Sequence, residues 1–409
     1  MKRVLIIGGG FTGLNTAKVL GRSGKVEVIL IDRMNHHLFQ PLLYQVATAG
    51  LNPSDIAVPI RSILSRYRNI TVLQGNVNSV DLKSRTVHAN IGEYNYDYLI
   101  LACGVQNSYF DHEEWRKHAP GLKNLVDAIE IRRSILSAFE KAESINDPAI
   151  QKKLLTFVIV GGGLTGVELA GAIGEMSHFT LARDFRNIDP KLTQILLIEA
   201  GSRILTSFSE NHAARATRDL ESLGVQVWTS SQVTRIDPDG IEVGKERIQA
   251  ATVLWAAGVK AVNLNSKLGV GLDTQGRVIV EPDLSLKEYR QVFVAGDQAH
   301  FSHQTGEPLP ALAPVALQQG RCIAKNILLE VAGHQRQKFR YVDKGQMATI
   351  GRSRAIAEIS GLKIKGLLAW IIWLFVHIYY ITGFNNRILV VMQWAMSYLS
   401  YRRGSRLIY

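Results

Sequence analysis

The chain has 409 residues, 46% of them hydrophobic and 20% charged, which is enough apolar content for two or three packed domains and excludes a disordered chain. Its 47 Lys and Arg against 35 Asp and Glu give a formal charge of +12; the basic residues form no long run, zinc-finger spacing or aromatic-basic string, so anionic membranes or small anions are expected as partners rather than nucleic acid. The two cysteines, Cys103 and Cys322, are far apart, which excludes a disulfide scaffold and a cysteine zinc site and fits a reducing compartment.

The chain begins Met1-Lys2-Arg3 and runs into Val4-Leu5-Ile6-Ile7. Gly8 breaks this apolar run well short of the ~7–15 residues of a secretory leader, so the run reads as the first strand of a domain kept on the cytoplasmic side. Gly8-Gly9-Gly10-Phe11-Thr12-Gly13 then spells G-x-G-x-x-G on Gly8, Gly10 and Gly13. Leu14 to Leu20 reads as a helix, and Val26 to Ile31 as a second strand ending at Asp32. Dinucleotide binding needs this order. The first glycine permits the tight turn, the second lets backbone N–H groups reach a pyrophosphate, and the third lets the helix pack on the strand. The helix N-terminus favours the phosphates, and the acid accepts from ribose hydroxyls.

The same order returns. Leu155 to Val160 is a strand, Gly161, Gly163 and Gly166 repeat the fingerprint, Val167 to Met176 is helical, and strand Ile195 to Ile198 ends at Glu199. The polar stretch Arg183 to Lys191 reads as a loop inserted between the second helix and strand. Either glycine set alone is compatible with a plain strand-helix turn, but two sets, each with its own acid, imply two dinucleotides. Hydride transfer between a nicotinamide and a flavin is the simplest chemistry that uses both. Glu199 favours an unphosphorylated ribose, since it suits a 2′-hydroxyl and repels a 2′-phosphate; Arg203 lies close enough in sequence to pull the other way.

Near the C-terminus, Gly366 to Ile381 carries no Asp, Glu, Lys or Arg, and Ile388 to Leu399 is a second apolar run. Neither reaches the ~20 residues that span a bilayer. Thr382 to Arg387 reads as a break between them, Lys363 and Lys365 precede the pair, and Arg402, Arg403 and Arg406 follow it. Aromatic-rich helices flanked by basic residues suit the plane of a membrane interface; a buried core hairpin and a dimer interface are the alternatives. With no closely spaced cysteine pair, electrons have no thiol relay to leave by. Cys103 is expected at a strand end and Cys322 inside a helix, as small buried apolar groups.

These residues resemble the glutathione-reductase-like flavoproteins with two dinucleotide-binding domains. Further marks of that family are Leu99 to Gly104, Val253 to Gly258, and Val292 to Asp297. Within it the chain is most similar to the type II NADH dehydrogenases, single-subunit NADH:quinone oxidoreductases. The resemblance is carried by Asn35 to Gly50, Gly161 to Glu168, Ala313 to Gly320, and Tyr341 to Gly345 with the apolar tail. One departure is Pro314, where the family often has glutamine, leaving Gln318 and Gln319 as the polar members of that motif.

The resemblance implies an α/β fold of two Rossmann-like domains, FAD-binding over 1–115 and 266–345 and NAD(P)H-binding over 116–265, with a membrane-anchoring amphipathic helical region over 346–409. FAD would be held by Gly8, Gly10, Phe11, Thr12, Gly13, Asp32, Arg33, Val77, Ala102, Gly104, Gly296 and Asp297, with Lys344 opposing negative charge on the reduced flavin. NADH would be held by Gly161, Gly163, Thr165, Gly166, Glu199 and Gly258. Glu168 would work near the nicotinamide and flavin, its plain role being to favour the helix dipole. Gln45, Gln318 and Gln319 would contact quinone, and His36 and His37 would make structural contacts near the cofactor. No metal site is expected. The expected protein is peripheral, held monotopically on the cytoplasmic face of a membrane by its C-terminal amphipathic region, and a homodimer is the expected assembly. The rivals are a reductase of a ferredoxin-type carrier, an NADPH-preferring quinone reductase, and a redox sensor without turnover.

Overall fold

The computed structural model describes residues 1–400 and 405–408. Its chain divides into two units. The first comprises Met1–Leu38, Ala57–Gln106 and Val259–Asp343, and the second Phe39–Ile56, Asn107–Gly258 and Lys344–Tyr409.

In the first unit, Val4 to Ile7 pair in parallel with Val28 to Ile31 on one side and with Tyr98 to Leu101 on the other. Ile70–Gln74 and Val292–Val294 extend the sheet to five strands, all parallel. A parallel sheet is covered on both faces, which is why these strands are unbroken Val, Ile and Leu runs rather than alternating ones. Phe11–Ser23 forms the helix after the first strand and stops at Gly24, whose φ of 63° ends it in the left-handed region. This helix packs against Ala313–Val331. The approach is close because residue 320 is glycine: a Cβ there would lie 2.5 Å from the Thr12 carbonyl oxygen. Cys103 follows the Tyr98–Leu101 strand and Cys322 lies within the Ala313–Val331 helix, each partly buried.

The second unit repeats the theme with four parallel strands in the order Val225–Trp228, Gln194–Ile198, Thr156–Val160, Thr252–Trp255. Its glycine-started helix spans Leu164–Glu175. Of the stretch read as a loop, Arg183 to Lys191, residues 183–189 carry no helix or strand and Pro190–Leu192 make one short 3-10 turn; Glu143 pins the loop by accepting from the Arg186, Asn187 and Ile188 amides. An antiparallel sheet of Gln346–Gly351, Arg354–Ile359 and Leu362–Lys365 sits against the Leu164–Glu175 helix, where a Cβ on Gly171 would fall 1.8 Å from the Ile350 carbonyl oxygen.

The apolar tail forms two helices, Gly366–Tyr380 and Phe384–Ser400. The first has two apolar faces. Ala369, Trp373 and His377, four residues apart, are buried, and the helix packs on the Arg354–Ile359 strand. Leu367, Leu368, Phe375 and Tyr379 are exposed. The expected break, Thr382 to Arg387, is shorter than its polarity suggested. The second helix starts at Phe384, and the polar residues of its first turn act as fasteners. Asn386 donates to the Ser54 and Asp55 carbonyls, and Arg387 donates to the Tyr379 and Ile381 carbonyls at the end of the preceding helix. Among the described residues no helix is long and apolar enough to cross a membrane. Arg402 and Arg403 lie outside the described residues.

Candidate active site

The two glycine loops have the same construction. Gly8 has φ 104° and Gly161 φ 110°, a region where side chains are strained. A Cβ on Gly8 would meet the Ala102 carbonyl oxygen at 2.3 Å, and one on Gly161 would meet the Ala256 carbonyl carbon at 2.5 Å. The third glycines are tighter still: a Cβ on Gly13 would sit 1.9 Å from the Gly8 carbonyl oxygen, and one on Gly166 1.9 Å from that of Gly161. The middle glycines differ in kind. A Cβ on Gly10 or Gly163 would meet nothing within 4 Å. Each is the N-cap of its helix, and no side chain caps either one. Both loops therefore present open space over a helix N-terminus, which is where a pyrophosphate fits.

The acids are also equivalent. Asp32 accepts from the Gly9 amide at 2.5 Å and the Met34 amide at 2.7 Å. Burial raises its carboxyl above the usual range while those two bonds pull it down. Glu199 accepts from the Gly162 amide at 2.7 Å and the Gly201 amide at 2.6 Å. Each carboxylate is fixed at its loop, with lone pairs left for ribose hydroxyls. Arg203, near Glu199 in sequence, is committed elsewhere: its guanidinium donates to the Phe208 and Thr206 carbonyls at 2.7 and 3.0 Å.

Around the first loop, Thr12 donates to the Ala316 carbonyl at 3.2 Å. Gln319, 1% exposed, accepts from the Gly296 amide at 2.6 Å, and Gly296 holds φ 73°. Asp297 follows in the same short turn. His37 is buried beneath the loop with Nδ1 3.0 Å from the Gly9 carbonyl. Burial lowers its pKa to about 4, so the ring is neutral and Nδ1 carries the hydrogen it donates. Ala102 is buried, Gly104 has φ 72° with open space beside it, Val77 starts a strand, and Arg33 is exposed. Gln318 spends both ends of its amide on the Val342 backbone, donating at 2.9 Å and accepting at 3.0 Å.

Within the second unit, Thr165 lies in the first turn of the Leu164–Glu175 helix, and Phe110 covers Gly258, leaving no room for a Cβ there. Lys344 is exposed. The same unit holds a half-open cavity. Tyr44 and Gln45 line it from a short helix, Glu168 and Glu175 from the glycine-started helix, Thr349 to Arg352 from the antiparallel sheet, and Trp370, Trp373, Trp394 and Tyr398 from the tail. Glu168 lines this space and is half-buried. Burial holds it well above the usual carboxylate range, with only a hydrogen bond to the Thr349 backbone opposing. Gln45 is gripped from both ends: its carbonyl accepts from Trp394 Nε1 at 2.8 Å and its NH₂ donates to the Tyr44 hydroxyl at 2.9 Å. Tyr398 is tied to Ser353 through its hydroxyl at 2.5 Å and lies under the Arg352 guanidinium.

A pyridine nucleotide-disulphide oxidoreductase family model matches residues 2–320, and an NDH2 C-terminal domain model matches residues 344–403. The chain is 43% identical to the type II NADH:quinone oxidoreductase Ndh of Mycobacterium tuberculosis, over 98% of this chain and 89% of the relative. The chain belongs to the type II NADH:quinone oxidoreductases. A second relative of that name in the same organism, NdhA, is 42% identical over 99% of this chain and 89% of its own length. The structure of NDH2 from Plasmodium falciparum in complex with NADH superposes with a TM-score of 0.90, covering 100% of this chain and 99% of that one at 19% identity, and so shares the fold. In this type II oxidoreductase, the sequence pointed to both loops, both acids, Glu168 and Gln45. It missed that Glu168 and Gln45 line one cavity, and it missed the tail residues Trp373, Trp394 and Tyr398 as its walls. The four-residue spacing of Ala369, Trp373 and His377 was the available signal for which face turns inward.

Proposed function

We propose that this chain oxidises NADH through FAD and delivers the two electrons to a membrane quinone bound in the aromatic-walled cavity, without pumping protons. The observation that carries the reading is that cavity, in which Glu168, its carboxyl held well above the usual range by burial, lines a space walled by the apolar tail. FAD, when bound, supplies a carrier that takes an electron pair from NADH and yields it to quinone. The loop at Gly8, Gly10 and Gly13 would hold the FAD pyrophosphate, and Asp32 would accept from its ribose. His37 and Gln319 keep the Gly9 carbonyl and Gly296 amide in place around it. The loop at Gly161, Gly163 and Gly166 holds NADH, with Glu199 on the adenosine ribose. Arg203 is held away from a 2′-phosphate role by its carbonyl partners, which favours NADH over NADPH. Lys344 would offer a cation to negative charge on the flavin, and Gln318 fixes the Val342 backbone.

Reducing quinone with NADH takes up one proton overall. Glu168, whose carboxyl burial raises well above the usual carboxylate range, is the group in this cavity that gives that proton to a quinone oxygen and is then reprotonated from solvent. The exposed apolar face of the tail, Leu367, Leu368, Phe375 and Tyr379, rests in the cytoplasmic leaflet, flanked by Lys363, Lys365 and Arg406. Steady-state oxidation of NADH and NADPH against a panel of quinones, with a ferredoxin as the alternative acceptor, tests the reading. Rapid NADH turnover with quinones supports it; turnover with the ferredoxin alone refutes it.

A further inference from the structure

We propose that the indole N–H of Trp373 is the hydrogen-bond donor that holds a quinone carbonyl in the cavity of the second unit. The inference rests on the reading of that cavity as the quinone site.

Trp373 is 2% exposed, and its Nε1 is a buried donor with no hydrogen-bond partner. Buried N–H groups in native proteins are nearly always paired, so an unpaired one on a residue that lines a cavity points to a partner that enters from outside. Other indoles of the same unit show the ordinary outcome. Trp255 Nε1 donates to the Ser108 carbonyl at 2.7 Å, and Trp394 Nε1 to Gln45 at 2.8 Å.

A quinone head presents two carbonyl acceptors and no donor, so its site must supply donors. Gln45, which by composition suits the task, gives one of its two amide N–H groups to the Tyr44 hydroxyl, and its carbonyl is spent on Trp394. The Trp373 N–H is uncommitted. Its ring is also held in place. It stacks on His377 with ring centroids 4.2 Å apart and lies 5.4 Å from the Trp394 ring. His377 is fixed in turn, with Nδ1 2.7 Å from the Trp373 carbonyl oxygen. A donor fixed by its neighbours loses little freedom when a ligand arrives.

The substitution Trp373→Phe keeps an aromatic ring against His377 and Trp394 and removes the N–H. In the flavin-loaded enzyme, with ubiquinone-1 as acceptor, W373F is expected to raise KM for the quinone about tenfold more than KM for NADH, the size of one hydrogen bond. A readout independent of turnover uses the unsubstituted enzyme labelled with ¹⁵N-tryptophan. The indole resonance missing from W373F is assigned to Trp373, and ubiquinone-1 is expected to move it downfield. If that resonance stays put while quinone binds, and W373F leaves quinone KM unchanged, Trp373 is not the donor. Ala172→Phe, which fills the cavity, separates this failure from failure of the site. Loss of quinone turnover in A172F with no effect of W373F overturns the Trp373 assignment and keeps the cavity. Full quinone turnover in A172F overturns both.

Discussion

Substituting alanine at Gly163 and at Gly166 separates two jobs that neighbouring glycines do in one loop. At Gly163 the added Cβ meets nothing within 4 Å, and the backbone φ of −73° is open to any residue. Folding should therefore be insensitive: the entropy gained over glycine, about 0.4–1 kcal/mol, is offset by alanine's weaker N-capping. The methyl instead stands in the space assigned to the NADH pyrophosphate, and a displacement of about 1 Å there is expected to cost on the order of 100-fold in kcat/KM for NADH. At Gly166 the Cβ would lie 1.9 Å from the Gly161 carbonyl oxygen, so the helix must retreat by more than about 1 Å to restore contact distance. That substitution should lower stability by about 1–3 kcal/mol and weaken NADH binding as well. The assay pairs thermal unfolding of the flavin-loaded enzyme with steady-state kinetics. If Gly163→Ala leaves both Tm and kcat/KM for NADH unchanged, the second loop does not hold the pyrophosphate.

Three further outcomes are expected. Glu199→Gln should narrow the preference for NADH over NADPH by about tenfold in kcat/KM, roughly one lost charged interaction; an unchanged ratio would show that the acid does not face the ribose. Because the folded Glu168 pKa is raised, the native state keeps a proton that the unfolded chain loses, so stability falls as pH rises from the ordinary carboxyl value toward the folded one. Glu168→Gln should flatten that part of the Tm-against-pH curve and slow quinone reduction, and an unaltered curve would contradict the raised carboxyl. Phe375→Glu with Tyr379→Glu removes two exposed apolar groups, 71% and 70% exposed, and should leave Tm unchanged. Binding to anionic vesicles should fall by more than about tenfold, since each buried apolar side chain contributes about 1.5–3 kcal/mol; undiminished co-sedimentation would remove the tail from the interface.

Both dinucleotide loops were legible in the sequence because their code is local. Strand, glycines, helix and acid lie in order along the chain, and each glycine's role follows from backbone geometry at that residue. The cavity was not legible as a whole, because residues far apart in the chain build it: Gln45, Glu168, Thr349 and Trp394 share no local pattern. Arg203 is a case of proximity misleading, since only the fold shows its guanidinium turned to the Thr206 and Phe208 carbonyls. Asn386 and Arg387 looked like a linker because polarity alone does not reveal that a side chain has a buried carbonyl to reach. In the tail, uniform apolarity hid which face packs and which is exposed, and there the four-residue spacing of Ala369, Trp373 and His377 was more informative than hydropathy.

The central claim is that one chain passes electrons from NADH through a flavin to quinone with no sulfur relay. Anaerobic stopped-flow mixing tests it most directly: the purified flavin-loaded protein is mixed with NADH and then with ubiquinone-1. The account predicts that the flavin's visible absorbance bleaches with NADH and returns with the quinone at a rate that supports steady-state turnover. A flavin that bleaches and stays reduced with every quinone tried would contradict it.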